Sequence, residues 1–163
     1  MNIAILGSDS RTAAIGNLLA AGGHNVLSSG QTAGDVLLLA GSCAAVDEIV
    51  TMARQLPPET IIIDAMDRPR GAAERTVAEL LASDLGSDRI VRALIVLPQP
   101  GANVLCCTDD ADAMAAVEEI FHSCGCIATD RGPLANADEL ERPDRSLGDK
   151  FDDLKGTNTV VDR

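Results

Sequence analysis

Four long apolar runs constrain this chain more than any other feature. They are NIAILG at 2–7, DVLLLAG at 35–41, TIIIDAM at 60–66 and RIVRALIVLP at 89–98. Runs without polar alternation read as strands buried on both faces, which is the condition of a parallel sheet covered by helices above and below. Shorter strands are expected in HNVLSS at 24–29, ANVLCCTD at 102–109 and CIATDRG at 126–132.

Helical spacing separates these runs. Ala13, Ile15, Leu18, Leu19 and Ala21 share a face between residues 10 and 22, closed by Gly22-Gly23. Val46, Ile49, Val50 and Ala53 do so between 42 and 55, ahead of the helix-stopping pair Pro57-Pro58. Residues 72–82 form a third helix. A fourth carries Ala113, Ala116, Val117, Ile120 and Phe121 inward and opens on Asp109 and Asp110, acids that suit a helix N-terminus. Strand alternating with helix predicts a doubly wound, mostly parallel α/β sheet of Rossmann-like type. With no Trp or Tyr and two Phe in 163 residues, the core has to be built from small aliphatic side chains. The domain is expected over 1–141, followed by a polar tail at 142–163 broken by Pro143, Gly148 and Gly156. Leu147, Phe151 and Leu154 give that tail one apolar patch.

The formal net charge of −12 repels phosphate backbones and anionic lipid, which argues against nucleic-acid and membrane partners. No run reaches the ~20 apolar residues of a membrane span, and MNIAIL lacks the basic start of a secretion signal. A cytoplasmic protein with reduced thiols is expected.

The segment ILGSDSRTAAIG begins as a dinucleotide-binding turn does, with an apolar strand running into Gly7. In that fingerprint the second glycine lets the backbone approach a pyrophosphate, and the third lets the helix pack on the strand. Here those places hold Asp9 and Thr12. A carboxylate beside an incoming diphosphate costs about one to three decades of affinity through repulsion alone. Asp9 and Ser10 are also good helix N-caps, and a cap takes the amides that would bind phosphate. At the end of the second strand, Ser28, Ser29 and Gln31 stand where an acid would hold ribose hydroxyls or an Arg a 2′-phosphate.

Over residues 1–141 the chain resembles the coenzyme F420-dependent NADP oxidoreductase family. The likeness rests on MNIAILGS with GGHNV, on GDVLLLAGSCAAVDEIV, TIIIDAMDRP and RIVRALIVLP, and on a late block with the spacing D-x-GPL-x-NA-x-x-LE. Gly132-Pro133-Leu134, Asn136-Ala137 and Leu140-Glu141 carry that last pattern. The resemblance implies an NADP-binding Rossmann domain, shortened relative to the usual dinucleotide-binding domain. It implies cofactor contacts from Gly7, Ser8, Asp9, Ser10, Arg11 and Thr12, from Ser29, Gly30 and Gln31, and from Ala40, Gly41 and Ser42. It also implies that Arg92, Ala93, Leu94, Ile95 and Val96 lie near the nicotinamide. The chain departs from the family at two loop glycines, at Gln31 for the phosphate-reading Arg, and at Ile95 and Val96 for Asn and Thr. Its linker from the second strand to GDVLLLAG is also short.

Other chemistry-bearing residues have plain structural readings beside functional ones. His122, Cys124 and Cys126 in HSCGC, with Cys106 or Cys107, could ligate zinc, but their spacing is not that of structural zinc sites, and no metal is expected. Buried thiols packing as small hydrophobes are the alternative. His24 is expected to pack rather than catalyse. Asp64 reads as a strand-end carboxylate, solvated or meeting a ligand at the carboxyl edge of the sheet. Arg68, Arg70 and Arg75 form either an anion-facing loop or local charge balance.

Two functions stay open. One is an NADP-binding oxidoreductase-like protein of the F420-dependent family with an altered cofactor loop, its catalytic residues unassigned. The other is a non-catalytic Rossmann-like subunit that binds a protein partner or a different small ligand. A homodimer is compatible with both, since a strand left at the edge by the short linker needs cover.

Overall fold

Strand β1 (Asn2–Leu6) lies between β2 (Asn25–Leu27) and β3 (Val36–Ser42), and all three run parallel. In this computed structural model, residues 1–7, 9–27, 34–42, 46–67, 75–96 and 98–141 are described. The sheet continues through β4 (Ile61–Asp67), β5 (Ile90–Ile95), β6 (Asn103–Cys107) and β7 (Ile127–Asp130), in the order β2-β1-β3-β4-β5-β6-β7. Only the β5–β6 pairing is antiparallel. The sheet is therefore the mostly parallel, doubly wound one expected, and it is Rossmann-like.

Alternating side chains divide the core in two. Ile3, Ile5, Leu38, Ile63 and Val91 point to one face, under α1 (Ser10–Ala21) and α4 (Ala111–Ser123). Ala4, Leu37, Leu39, Ile62 and Ile90 point to the other, under α2 (Val46–Ala53) and α3 (Val77–Leu85). Phe121 on α4 is the largest of the fully buried side chains among the described residues. Burial of both faces explains why the four runs show no polar alternation.

The D-x-GPL-x-NA-x-x-LE block turns out to be a packing device. Asp130 accepts from the Gly132 amide at 2.8 Å, and Asn136 Nδ2 donates to the Arg131 carbonyl at 2.7 Å. Asp109, expected at the start of α4, instead accepts from the Leu134 amide at 3.0 Å, while Asp110 caps the helix. These bonds set a 3-10 turn (Leu134–Asn136) and α5 (Ala137–Glu141), elements the sequence reading did not separate. Leu134, Ala137 and Leu140 are thereby buried.

His24 Nε2 lies 2.8 Å from Ser123 Oγ and ties the end of α1 to the end of α4. Cys106, Cys124 and Cys126 pack in the α1/α4 core, and burial pushes the Cys106 thiol up to about 12. No group of three metal-ligating side chains occurs among the described residues. Arg75 donates to the Glu79 carbonyl, whereas Arg68, Arg70, Cys43 and the tail with its Leu147–Phe151–Leu154 patch lie outside the described residues. No helix among the described residues is long and apolar enough to cross a membrane.

Candidate functional site

The chain leaves β1 toward β2 on one side and returns through β3 on the other. The strand order thus reverses at the carboxyl ends of β1 and β3, where open α/β sheets bind their ligands. Helix α1 starts directly above that point. Gly7 is needed there because a Cβ would stand 2.5 Å from Thr12 Oγ1 and 2.6 Å from the Ala40 carbonyl oxygen. The first glycine of the fingerprint thus keeps its role in the tight turn.

The second position has changed role. Asp9 is the N-cap of α1, and its Oδ1 accepts from the Thr12 amide at 2.8 Å and from the Thr12 hydroxyl at 2.7 Å. These bonds, the amide first, hold the Asp9 carboxyl below its ordinary range. Its other oxygen rests over β3: a Cβ on Gly41 would stand 3.0 Å from Asp9 Oδ2. Gly41 has φ +88, so both its backbone and its lack of a side chain suit the carboxylate above it.

Arg11, the second residue of α1, reaches across the sheet edge. Its guanidinium donates to Asp67 Oδ1 at 2.6 Å and to the Ile95 carbonyl at 2.8 Å. The two acceptors end neighbouring strands that have parted. The β4–β5 ladder stops at Asp64↔Arg92, although β4 runs on to Asp67 and β5 to Ile95. Arg11 spans the split.

Asp64 corrects the expectation of a strand-end carboxylate. Because β4 continues three residues further, paired with β3 as far as Ser42↔Asp67, Asp64 is fully buried on the α2/α3 face. Its Oδ1 accepts from the Met66 amide at 3.0 Å and lies 3.6 Å from Arg92 Nη1, which donates to the Asp64 carbonyl at 2.8 Å. Desolvation raises the Asp64 pKa, against the pull of Arg92. Arg92 is likewise buried, so of the stretch implied to lie near a nicotinamide, Ile95 faces the split through its carbonyl and Val96 is exposed.

The structure therefore brings together Gly7, Asp9, Ser10, Arg11, Thr12, Ala40 and Gly41 at one sheet edge. Ser42 ends β3, opposite Asp67. Ser8, Ser29, Gly30 and Gln31 lie outside the described residues. Sequence reasoning missed Asp67 and the Ile95 carbonyl. The clue was the run TIIIDAMD, whose strand ends at its second aspartate and not its first.

Neither a protein-family model nor a curated protein matches the chain. Solved structures do. A hypothetical protein of Sinorhizobium meliloti superposes with a TM-score of 0.70 at 18% identity, over 90% of this chain and 92% of that one. A protein of Arthrobacter sp. FB24, provisionally described as an F420-dependent NADP reductase, gives 0.68 at 17% identity, over 85% of this chain and 88% of that one. Prephenate dehydrogenase of Aquifex aeolicus, solved with NAD+, gives 0.64 at 13% identity, over 83% of this chain and 61% of that one. These likenesses show the fold alone, a Rossmann-like α/β sheet.

The Aquifex enzyme was solved with NAD+ in this fold, and the residues at this chain's turn do not fit the diphosphate of such a cofactor. A diphosphate at this turn needs amide hydrogens of the first helical turn and a side-chain-free approach. The Thr12 amide and hydroxyl are taken by Asp9, and the space above Gly41 holds the Asp9 carboxylate.

Proposed function

We propose that this chain is a non-catalytic Rossmann-type protein of dehydrogenase ancestry, whose switch-point crevice receives a small ligand other than a dinucleotide. The observation that carries this reading is the Asp9 carboxylate seated on Thr12 and over Gly41, where a diphosphate would lie. A bound carboxylate and a diphosphate compete for the same donors and repel each other. Fold alone does not fix activity, and here the altered part is the site itself.

The second reading is an NADP-binding oxidoreductase of the F420-dependent NADP reductase kind. It is favoured by the retained turn at Gly7 and by a likeness to the Arthrobacter protein that spans most of both chains. Hydride transfer asks little of protein side chains, because the cofactor supplies the chemistry when bound and the protein holds it. On this reading Asp9 must leave Thr12 before the cofactor enters.

Thermal melting separates the two. A ligand that binds the native state raises the melting temperature by mass action. Millimolar NADPH, NADH and coenzyme F420 are each expected to leave the melting curve unmoved. A rise that grows with NADPH concentration overturns the proposal and supports the reductase.

A further inference from the structure

We infer that Arg11 is the anchor of a small-oxyanion site over the split between β4 and β5, taking a carboxylate or phosphate group in exchange for Asp67. This deepens the reading of the crevice as a small-ligand site and rests on it.

Four observations converge on that position. Among the described residues β4 and β5 share no ladder beyond Asp64↔Arg92, although each strand continues. The opening is fixed from below: Asp64 turns its carboxylate to the Met66 amide, and Arg92 holds the Asp64 carbonyl. The Arg11 guanidinium is delivered into the opening with one edge on the Ile95 carbonyl, while its Nε is buried with no hydrogen-bond partner among the described residues. Finally, the two members of the Arg11–Asp67 pair are unequally held. The Arg11 side chain is 23% exposed and that of Asp67 68% exposed.

An exposed carboxylate on a well-placed guanidinium is a replaceable partner, because such pairs contribute little in high dielectric. The planar fork of Arg suits carboxylate and phosphate alike. The nearest carboxylate on the helix, Asp9, is attracted by Arg11 but makes its side-chain hydrogen bonds to Thr12 and no ion pair with Arg11 among the described residues. An incoming oxyanion would therefore keep the Arg11–Ile95 contact and displace only Asp67.

The probes are inorganic phosphate and acetate, each compared with chloride at equal ionic strength by thermal melting and by titration of amide resonances. Selective stabilisation of wild type is expected. Asp67→Asn removes the internal competitor and should strengthen binding about two- to fivefold, the worth of an exposed ion pair. Arg11→Met should abolish the selective effect, and circular dichroism should confirm that it is folded. Because Arg11→Met loses two native bonds, the Asp67→Asn arm, which keeps Arg11, stands as an independent test. A response to phosphate alone assigns a phosphoryl group, and a response to both probes assigns oxyanions including carboxylates. No selective effect in Asp67→Asn, or an effect that survives Arg11→Met, overturns the inference. NADPH binding that appears in wild type would defeat the reading of the crevice while leaving these anion titrations to be read on their own.

Discussion

The carboxylate of Asp9 occupies both hydrogen-bond donors of Thr12, the amide at 2.8 Å and the hydroxyl at 2.7 Å. Both residues stand where a dinucleotide fingerprint has glycines. The pair converts a phosphate-binding turn into a capped helix. On the proposed reading, the feature that stabilises the start of α1 also excludes a diphosphate, which sets stability against dinucleotide binding at this position.

Acid should reveal the cap. The Asp9 carboxyl titrates below its ordinary range when folded. Its contribution is therefore full above the unfolded value near 3.8 and is lost as pH falls through the lower folded value. Asp9→Asn, which keeps an oxygen acceptor without the charge, should flatten the part of the pH–stability curve that lies below the ordinary carboxylate range. Urea titrations across that range measure it.

Asp64 should act in the opposite sense. Its folded pKa is raised by burial, so the native state holds the proton more tightly than the unfolded chain does. Stability assigned to this group is greatest in acid and declines as pH rises from the unfolded value through the folded one. Asp64→Asn should remove that decline, read as urea midpoint against pH from 4 to 8.

The buried pair itself gives a test by double substitution. Removing Arg92 alone leaves the fully buried Asp64 without its cation, and Arg92→Met should cost about 3–5 kcal/mol. Asp64→Leu combined with Arg92→Met should recover most of this loss, because a well-packed apolar pair avoids the desolvation of two charges. A double variant as unstable as the single one would show that Arg92 acts through other contacts.

Gly41 should resist substitution for two separable reasons. Alanine there meets the Asp9 carboxylate at 3.0 Å and must adopt φ +88. Gly41→Ala should destabilise by about 1–2 kcal/mol from the backbone alone, with the contact added to it. In an Asp9→Gly background only the backbone part should remain.

The sheet was legible because burial on both faces writes itself as unbroken apolar runs. Ile61, Ile62 and Ile63 announce β4, and Val36–Leu39 announce β3. The capping role of Asp9 was legible too, since cap chemistry is local and spans three residues. Arg11 with Asp67 was not. Its partner lies 56 positions away, and its second acceptor is the backbone carbonyl of Ile95, which carries no sequence signal. Asp64 misled for a related reason. A lone carboxylate in an apolar run looks like a strand end until the register shows Arg92 beside it. The late GPL-x-NA pattern pointed to a family, yet its bonds serve to seat Leu134 and Ala137.

The central claim is tested most directly by calorimetric titration of NADPH into wild type and into Asp9→Gly. Freed amides and the loss of one like charge should give the variant measurable binding, stronger than wild type by about ten- to a thousandfold. Wild type is expected to show no heat of binding at millimolar NADPH. Tight binding by wild type, little changed in Asp9→Gly, would contradict the account and make the crevice a working dinucleotide site.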